Sequence, residues 1–486
     1  MSLRKDQATM NSTRPFSVLT AALLAPIALV AQAPQAQAQT LADALAQAYA
    51  NNPTLLAARA QLRAVDENVP QALAGWRPTV SITNSFGYLD GRIRTLSQGV
   101  DPTDPQRQVG VTNRNDRTIA TNTVVVTQPI FRGGRTVAST RRAENQVLAQ
   151  RARLLATEQQ VMQDTVTAYV AVIRDQELLR LNINNEQVLT EQLRATNERF
   201  RVGEITRTDV AQAESRLAGA RSQRARAEGD LQISRATFLR LVGLPPGQLL
   251  APQPLRVPFR NAQEAALAAA ANNPNVVAAL FDEAGARDNV NIQSSALLPQ
   301  LSVSTQAGRN DNQVLNHSRQ TFAQVTANLT VPLYQGGAEY AAVRQARQSA
   351  QQARQTVDDQ RRAVVQQATQ AWEQLQSSKA QVDSVRAQIR AAEIALDGVQ
   401  REAIVGSRTT LDVLNAEQEL LNARTSLVQA LSTVVSQSYA LAATIGRLTA
   451  GDLGLAVDPY DMRAYYNEVR NRWAGLGDYS GVAERR

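Results

Sequence analysis

The sequence has no cysteine and a single histidine, His317. The lack of cysteine excludes disulfide bonds, thiolate nucleophiles, cysteine-bound zinc and iron–sulfur clusters. One histidine leaves little material for a metal site or a catalytic triad, and His317 falls in a predicted polar loop. Paired carboxylates at a recognisable spacing, a nucleophile elbow and a nucleotide-binding motif are also missing. We therefore expect a protein that is not an enzyme and requires no cofactor.

Aromatic residues (4%) and lysines (only Lys5 and Lys379) are scarce among the 486 residues. Few aromatic residues together with many Ala and Gln suit long helices with narrow apolar seams better than a thick globular core. The formal net charge is +8, but the arginines alternate with acidic and amide residues, and no basic stripe carries aromatic residues. No nucleic-acid partner is therefore expected.

The amino-terminal segment has the three parts of a secretory signal peptide. Basic residues precede an apolar run over 16–30, and Ala36-Gln37-Ala38 supplies the small residues of a cleavage site. We predict a signal peptide over 1–38, which translation from either Met1 or Met10 would leave intact. After it no segment approaches 18 apolar residues, so any membrane insertion is expected to use strands.

The remaining sequence is an internal duplication. The segment ANNP at 50–53 recurs 221 residues later at 271–274, and QPIFRGG at 128–134 corresponds to VPLYQGG at 331–337. The offset of the second pair is 203 residues and stays so to the end of the pattern, so the first repeat carries 18 extra residues. Two equivalent structural units are expected, one with a longer loop.

The predicted repeats span 39–258 and 259–450, followed by a carboxy-terminal tail at 451–486. Each contains a helical run, a strand pair, a very long helix, a glycine turn and a final helix. The predicted bounds are 41–76 and 262–298 for the first helical run, 79–130 and 300–333 for the strand pair, 136–200 and 339–403 for the long helix, and 206–243 and 409–446 for the final helix.

The strand pairs alternate between apolar and polar residues with a period of two. Alternation over about ten residues is typical of membrane β-barrels. The alternating segments lie at 80–88, 119–130, 301–307 and 323–331. Polar loops are predicted between them, over 90–117 with Pro102 and Pro105, and over 308–319.

The first long helix has a wide apolar seam. Two series of residues are spaced by seven, namely Val147, Leu154, Val161 and Ala168, and Leu148, Leu155, Met162 and Tyr169. Two adjacent heptad positions suit contact with two neighbouring helices. At about 1.5 Å per residue the long helix is a rod of roughly 100 Å, so two shorter helices placed end to end would match it.

Four amphipathic strands per chain cannot close a barrel, because the smallest bacterial barrels use about eight. An open sheet in lipid would leave backbone groups unsatisfied, each costing several kcal/mol. Several copies must therefore share one barrel; three copies give twelve strands, and two or four would also close. The helices would then continue as a hollow bundle, which predicts a tunnel rather than a pocket.

The whole mature chain resembles the TolC family of outer-membrane efflux and secretion ducts. The resemblance rests on the duplication, the two Asn-Asn-Pro motifs, the Gly-Gly segments before the long helices, and VGSRTTLDVLNAEQ at 405–418, which VGEITRTDVAQAES at 202–215 echoes. It implies a mixed α and β membrane protein in which four β-strands per chain join a shared twelve-stranded barrel of a homotrimer. A long α-helical barrel of coiled-coil-like helices would continue this barrel.

The same resemblance implies a cellular location and partner proteins. The barrel would lie in the outer membrane of a Gram-negative cell, in contact with outer-membrane lipid, and the α-barrel would extend through the periplasm. A periplasmic adaptor (membrane fusion) protein and an inner-membrane ABC or RND transporter would complete the export system. The tail, with Tyr465, Tyr466 and Trp473, resembles members paired with type I protein secretion.

The resemblance also places the turns at Gly203 and Gly406 at the periplasmic tip, where the family closes its tunnel. Carried over by position, Asp412 is an entrance carboxylate. The network that holds the tip closed would contain Arg408, Thr208 and Asp209.

The sequence departs from the family pattern at two positions of this tip. Asn415 stands where the best-known members have a second aspartate, and Ala403 replaces a tyrosine that helps to close the tip. Both differences predict a weaker latch and fewer carboxylates at the entrance.

The two aspartates also fit a structural role. Thr206-x-x-Asp209 and Thr409-x-x-Asp412 have the spacing of capping boxes at helix starts, and the sequence alone favours this role. The two roles are compatible, because a carboxylate in the first turn of a helix also faces the lumen of a hollow bundle. Three symmetry-related copies of Asp412 would concentrate negative potential and favour cations.

The favoured function is a passive outer-membrane exit duct for proteins or small molecules in a tripartite export system. The alternative is a periplasmic coiled-coil adaptor or scaffold protein of an envelope complex. An adaptor would need a lipoyl-like or β-barrel domain between its helical arms, where the sequence has only short strand pairs. A secreted hydrolase of envelope polymers would need the catalytic motifs that are missing.

Overall fold

The computed structural model describes residues 38–98, 108–256, 258–314 and 316–477. Its helices are α1 (Leu41–Asn51), α2 (Pro53–Asp66), α3 (Asn68–Leu73), α4 (Arg135–Arg201), α5 (Arg207–Val242), α6 (Ala262–Asn272), α7 (Pro274–Ser294), α8 (Ala338–Ile404), α9 (Thr410–Ile445) and α10 (Ala464–Val469). Its strands are β1 (Ala38–Gln39), β2 (Thr79–Gln98), β3 (Gln108–Arg132), β4 (Gln248–Leu249), β5 (Gln300–Asp311) and β6 (Arg319–Thr330). The signal peptide predicted over 1–38 lies, apart from Ala38, outside the described residues.

The predicted internal duplication is confirmed by the order and length of the elements. The long helices α4 and α8 both contain 67 residues, and the helices α5 and α9 both contain 36. The two repeats are joined by α7, which packs against α4 of the first repeat as well as α8 of its own. Among the helices that the structure describes, none combines the length and the hydropathy needed to cross a membrane.

The four long strands of the described residues form one antiparallel sheet in the order β2-β3-β5-β6. The predicted contribution of four strands per chain is therefore confirmed. The central pair, β3 and β5, joins the two repeats, with a bulge between Pro129 and Phe131. Within the described residues β2 and β6 each pair on one side only, so both outer strands present unpaired edges.

The polar loop predicted over 90–117 is wrong for most of its length. Here β2 and β3 continue as a paired ribbon, with Asp90 opposite Asp116 and Gln98 opposite Gln108. Backbone hydrogen bonds form this ladder whatever the side chains are, so the loss of apolar alternation does not end a strand. Residues 99–107, with Pro102 and Pro105, lie outside the described part of the chain.

The first helical run of each repeat is broken, contrary to the continuous runs predicted over 41–76 and 262–298. Asn52 ends α1 and caps α2, its side-chain oxygen accepting a hydrogen bond from the Thr54 N–H at 2.9 Å. The buried Asn52 amide also donates to the Leu241 carbonyl at 3.0 Å, near the end of α5. Proline at the first position of the following helix fixes the break.

Asn273 repeats this arrangement in the second repeat, where it links the α6–α7 junction to the Thr444 carbonyl at 2.9 Å. Each Asn therefore satisfies a carbonyl in the last turn of a neighbouring helix, which has no partner of its own. The Asn-Asn-Pro motifs thus hold each junction between two short helices against the carboxyl end of the final helix of the repeat, α5 or α9.

The apolar seam predicted on α4 is mostly buried, with Leu148 and Leu155 half-buried. Val147, Leu154 and Val161 are each at most 4% exposed, and Met162 and Tyr169 are fully buried. The amino-terminal half of α4 packs on α1, α2 and α3, while its remaining length packs on α5. The Tyr169 hydroxyl lies 2.8 Å from the Gln39 carbonyl and 2.7 Å from the Leu250 carbonyl, and it anchors the parallel pair of β1 and β4.

The carboxy-terminal segment after α9 runs back along the first repeat. Leu448 and Val469 are fully buried there. Backbone and side-chain hydrogen bonds of about 2.8 to 3.0 Å join this segment to the first repeat, from Ala450 N–H to Glu158, from Tyr460 N–H to Tyr49, from Tyr465 to Glu67 and from Arg470 to Glu144. This segment, 447–477, is called the tail wrap below.

Candidate functional site

Two helical turns carry the residues predicted at the tip. The α4–α5 turn contains Gly203 and the α8–α9 turn contains Gly406, both with a φ of +80°. The residues after each turn bond back to the helix that precedes it, with Glu204 N–H donating to the Arg199 carbonyl and Ser407 N–H donating to the Glu402 carbonyl, both at 3.0 Å. The two repeats therefore have equivalent, tightly closed turns.

Both predicted capping boxes are confirmed. The Thr206 N–H donates to Asp209 Oδ2 at 3.0 Å while Thr206 Oγ1 accepts from the Asp209 N–H at 3.4 Å. The same exchange occurs between Thr409 and Asp412, at 3.0 and 3.3 Å. Each aspartate thus occupies the first turn of its helix, where the positive end of the helix dipole favours a carboxylate.

Asp412 remains ionised because its surroundings favour the charged form. Hydrogen bonds from the backbone and then the side chain of Thr409, together with the nearby Arg408 guanidinium, lower the pKa of Asp412 below its usual 3.8. Arg408 in turn donates to Glu402 Oε2 at 2.8 Å across its own turn. In the described chain no hydrogen bond joins Arg408 to Thr208 or Asp209, and Thr208 is exposed on the first turn of α5.

The structure brings the two turns together through residues further along α5 and α9. Arg216 Nη2 donates to Asn415 Oδ1 at 2.9 Å, which joins the first repeat to the second. Next to this bond Leu414 is 2% exposed and packs on a small apolar cluster of Leu189, Leu217 and Ala220. Asn415 therefore has a defined partner at the position where the family pattern has an aspartate.

Glu417, five residues beyond Asp412 on α9, is not among the residues that the sequence singled out. Burial raises the pKa of Glu417, and among the described residues its Oε2 atom has no hydrogen-bond partner. It lines a groove between α4, α8 and α9 with Leu181, Val188 and Arg424. A signal was available, because Glu214 occupies the equivalent position of the first repeat.

The four-stranded sheet has one apolar face, called the belt face. On β2 this face carries Val80, Ile82, Phe86 and Tyr88, whose exposed fractions are 66 to 73%, with Asn84 between Ile82 and Phe86. The alternate face of the same strand carries Thr79, Ser81, Thr83 and Ser85. From Val80 to Tyr88 the strand advances about 27 Å, or about 21 Å in height at a tilt of about 40°. This height is close to the apolar band of about 25 Å of membrane barrels.

No group of three or more acidic or histidine side chains suited to a metal ion occurs among the residues that the structure describes. His317 lies in the loop between β5 and β6 with a φ of +62°, and its N–H donates to Asn312 Oδ1 at 2.8 Å. The structure brings together two capped turns with a carboxylate each, and an apolar belt.

Comparison with known proteins identifies the family of this chain. The family model described as outer membrane efflux protein matches residues 44–244 and 266–447, once in each repeat. The outer membrane efflux protein BepC of Brucella suis biovar 1 is 35% identical over 460 residues, which cover 94% of this chain and 96% of BepC. The outer membrane protein TolC of Vibrio cholerae is 25% identical over 86% of this chain and 92% of its own length.

A solved structure has the same fold. The outer membrane channel CmeC of Campylobacter jejuni aligns with a TM-score of 0.72, covering 89% of each chain at 15% identity.

Proposed function

Because the chain belongs to the outer membrane efflux protein family and is an outer-membrane exit duct, we propose that three copies build this duct and that its helical tip is the controlled entrance. The observation that carries the proposal is the open sheet, which has an apolar belt on one face, a polar opposite face and unpaired edges at β2 and β6. Such edges are not tolerated in lipid.

Three copies join the β6 edge of one chain to the β2 edge of the next and close a twelve-stranded barrel. The belt face then contacts lipid and the Ser and Thr face lines the lumen. The long helices continue the lumen through the periplasm. Cargo, protein or small molecule, passes without chemical change, since the energy comes from an inner-membrane ABC or RND transporter that a periplasmic adaptor protein connects to the tip.

The entrance of this duct is formed by the two capped turns. Asp412 supplies one carboxylate per chain, and Arg408, bound to Glu402, sets its surroundings. The bond between Arg216 and Asn415, rather than an aspartate at 415, ties the two repeats together, while Thr208 and Asp209 stand at the equivalent place of the first repeat. This exposed bond joins a charged guanidinium to a neutral amide and lacks the second charge and the paired geometry of an arginine–carboxylate pair, so the tip opens readily.

The Asp412→Asn variant is expected to weaken block of the duct by multivalent cations about tenfold, because a ring of three carboxylates at a constriction is lost. Single-channel recordings with a trivalent cation added on the helical side measure the effect. The lowered pKa of Asp412 keeps the wild-type ring charged, so block should stay constant between about pH 5 and about pH 8 and decline only in stronger acid. Asp458→Asn, which removes an exposed carboxylate from the tail wrap, is the matched control and should leave the block unchanged.

Unchanged block in Asp412→Asn would remove Asp412 from the entrance. The duct itself is tested with the purified wild-type protein in planar lipid bilayers. We expect discrete, long-lived conductance steps with no added nucleotide or ion gradient as energy source. Folded, membrane-inserted protein that gives no conductance would contradict the proposed function.

A further inference from the structure

The belt face does not end at Tyr88, because β2 and β3 continue as a paired ribbon beyond the apolar band. On the same face Asp90 lies opposite Asp116, and Arg92 lies opposite Arg114. Arg94 follows on β2. Within four residues the face therefore changes from apolar to strongly charged.

The neighbouring strands carry charges on the same face. Ala307 is paired with Val124 of the belt face, so Arg309 and Asp311 follow on that face, and Arg319 lies opposite Asp311. Arg309 and Arg319 both donate to Asp311, at 2.9 and 3.0 Å. Beyond Tyr88, β2 and β3 thus hold three arginines and two aspartates on this face, while Arg309, Asp311 and Arg319 of β5 and β6 lie in register with Asn84 and Phe86.

The arginines of the ribbon are incompletely neutralised. Arg114 bonds to Asp90 at 3.3 and 3.4 Å. Among the described residues neither Arg92 nor Arg94 forms an ion pair, and both side chains are exposed. Like charges directly opposite each other on two strands are unfavourable, and Arg92 faces Arg114 in this way. An anion bound between the two guanidinium groups would attract both of them and so offset their mutual repulsion.

The Arg94 guanidinium can contact the same anion as Arg92 and Arg114. It extends across Gly110 of β3, where an added Cβ would come within 2.7 Å of Arg94 Nε. Arg92, Arg94 and Arg114 therefore form a continuous surface, called the arginine face, along one side of the ribbon. Guanidinium groups bind phosphate through paired hydrogen bonds, which a lysine surface does not provide.

The height of the arginine face above the apolar belt indicates where the bound anion comes from. Arg92 lies four residues beyond Tyr88, about 14 Å along the strand and about 10 Å in height at a tilt of about 40°. Arginine side chains reach back toward the headgroup layer from such positions. A soluble anion in transit would instead meet the opposite, luminal face of the strands.

We propose that the arginine face binds the phosphorylated saccharide headgroup of a glycolipid in the outer leaflet of the outer membrane. This inference rests on the proposed function, because the duct orientation puts the ribbon outside the cell and the belt face in lipid. The bound phosphates neutralise the opposed Arg92 and Arg114, and the ribbon becomes fixed at the membrane surface.

Binding of bisphosphorylated lipid A to the purified, detergent-solubilised wild-type assembly tests the inference. The double variant Arg92→Gln/Arg94→Gln is expected to bind about tenfold more weakly, because two charge-assisted contacts to phosphate are lost. Enzymatically dephosphorylated lipid A should bind wild type and variant equally weakly. The variant Arg92→Lys/Arg94→Lys should recover only part of the affinity, since charge is kept but the paired geometry is not.

The matched control is Arg226→Gln/Arg362→Gln, which removes the same charge from exposed positions of α5 and α8 and should bind lipid A like wild type. Equal affinity of Arg92→Gln/Arg94→Gln and wild type would overturn the inference, as would complete displacement of lipid A by an equal concentration of inorganic phosphate. Conductance of the same samples is recorded in parallel, so loss of lipid binding with normal channels and loss of channels themselves are told apart.

Discussion

Ending the chain after Gly446 is expected to abolish the folded, assembled duct. The change removes the tail wrap, which buries Leu448 and Val469 completely against the first repeat. Each of these side chains contributes about 1.5 to 3 kcal/mol through burial, and the lost hydrogen bonds add about 1 kcal/mol each. The sum approaches the whole stability of about 5 to 15 kcal/mol that is typical of a folded domain.

Deleting the wrap also exposes groups that are now covered. Asp66, 1% exposed, lies on the end of α2 near Arg151, and burial raises its pKa to about 7. The Arg151 guanidinium is 5.2 Å from the centre of the Tyr466 ring, so it would lose its cover with the wrap. The first repeat would thus lose both the apolar contacts of the tail wrap and the packing around its buried charged groups.

Outer-membrane fractionation followed by gel migration with and without heating measures the result. We expect the chain ending at Gly446 to give no heat-sensitive oligomer band. The matched control ends after Gly477, keeps every described residue and should assemble like wild type. An assembled, heat-sensitive oligomer from the chain ending at Gly446 would show that the wrap is dispensable.

The second large effect is expected for Gly446→Ala, compared with Gly243→Ala. Both glycines end a 36-residue helix with a φ of +86°, so alanine at either position costs about 1 to 2 kcal/mol from the left-handed backbone alone. The surroundings differ. At Gly243 the nearest atom to an added Cβ is 3.9 Å away, whereas at Gly446 the Asn272 carbonyl oxygen is 2.5 Å away.

An alanine at 446 therefore displaces the α6–α7 junction, which is backbone and cannot move as a flexible side chain does. The displacement also strains the hydrogen bond from Asn273 to the Thr444 carbonyl. We expect Gly446→Ala to cost at least about 3 kcal/mol. The temperature at which the oligomer band disappears should fall slightly for Gly243→Ala and much further for Gly446→Ala. Equal losses in the two variants would contradict the close contact.

Much of the fold follows from patterns that the chain repeats. The constant 203-residue offset after the strands predicts long and final helices of equal length in the two repeats, and the structure has two 67-residue helices and two 36-residue helices. The alternation of apolar and polar residues locates the strands only where one face of the sheet contacts an apolar environment such as lipid. It fails after Tyr88, because a ribbon in water needs only backbone pairing, and Asp90, Arg92 and Arg94 satisfy that pairing as well as valines do.

Two other features depend on contacts between distant residues, which a single sequence does not display. Asn52 and Pro53 supply a local signal for the helix break, but the hydrogen bond from the Asn52 side chain to the Leu241 carbonyl follows only from the packed fold. The tail wrap joins Ala450 to Glu158 and Tyr460 to Tyr49, pairs separated by hundreds of residues. The sequence around these residues does not indicate that they are partners.

At the candidate entrance, too, local spacing predicts some features, and contacts between distant residues determine the others. Local spacing predicts both capping boxes, because Thr409 and Asp412 interact within one helical turn. The partner of Asn415 is Arg216 of the other repeat, and Glu417 is notable only because α4 and α8 enclose it. Arg216 and Glu417 become candidates only after the packing of α5 and α9 is known, whereas Asn415 is already a candidate from the sequence.

The central claim is that each chain supplies an incomplete, open sheet that is sealed by identical copies. The most direct measurement is the mass of the purified protein, in detergent, by native mass spectrometry with the detergent removed in the gas phase. Our account predicts one species of three times the mature chain mass. A stable, water-soluble single chain that needs no detergent would contradict it.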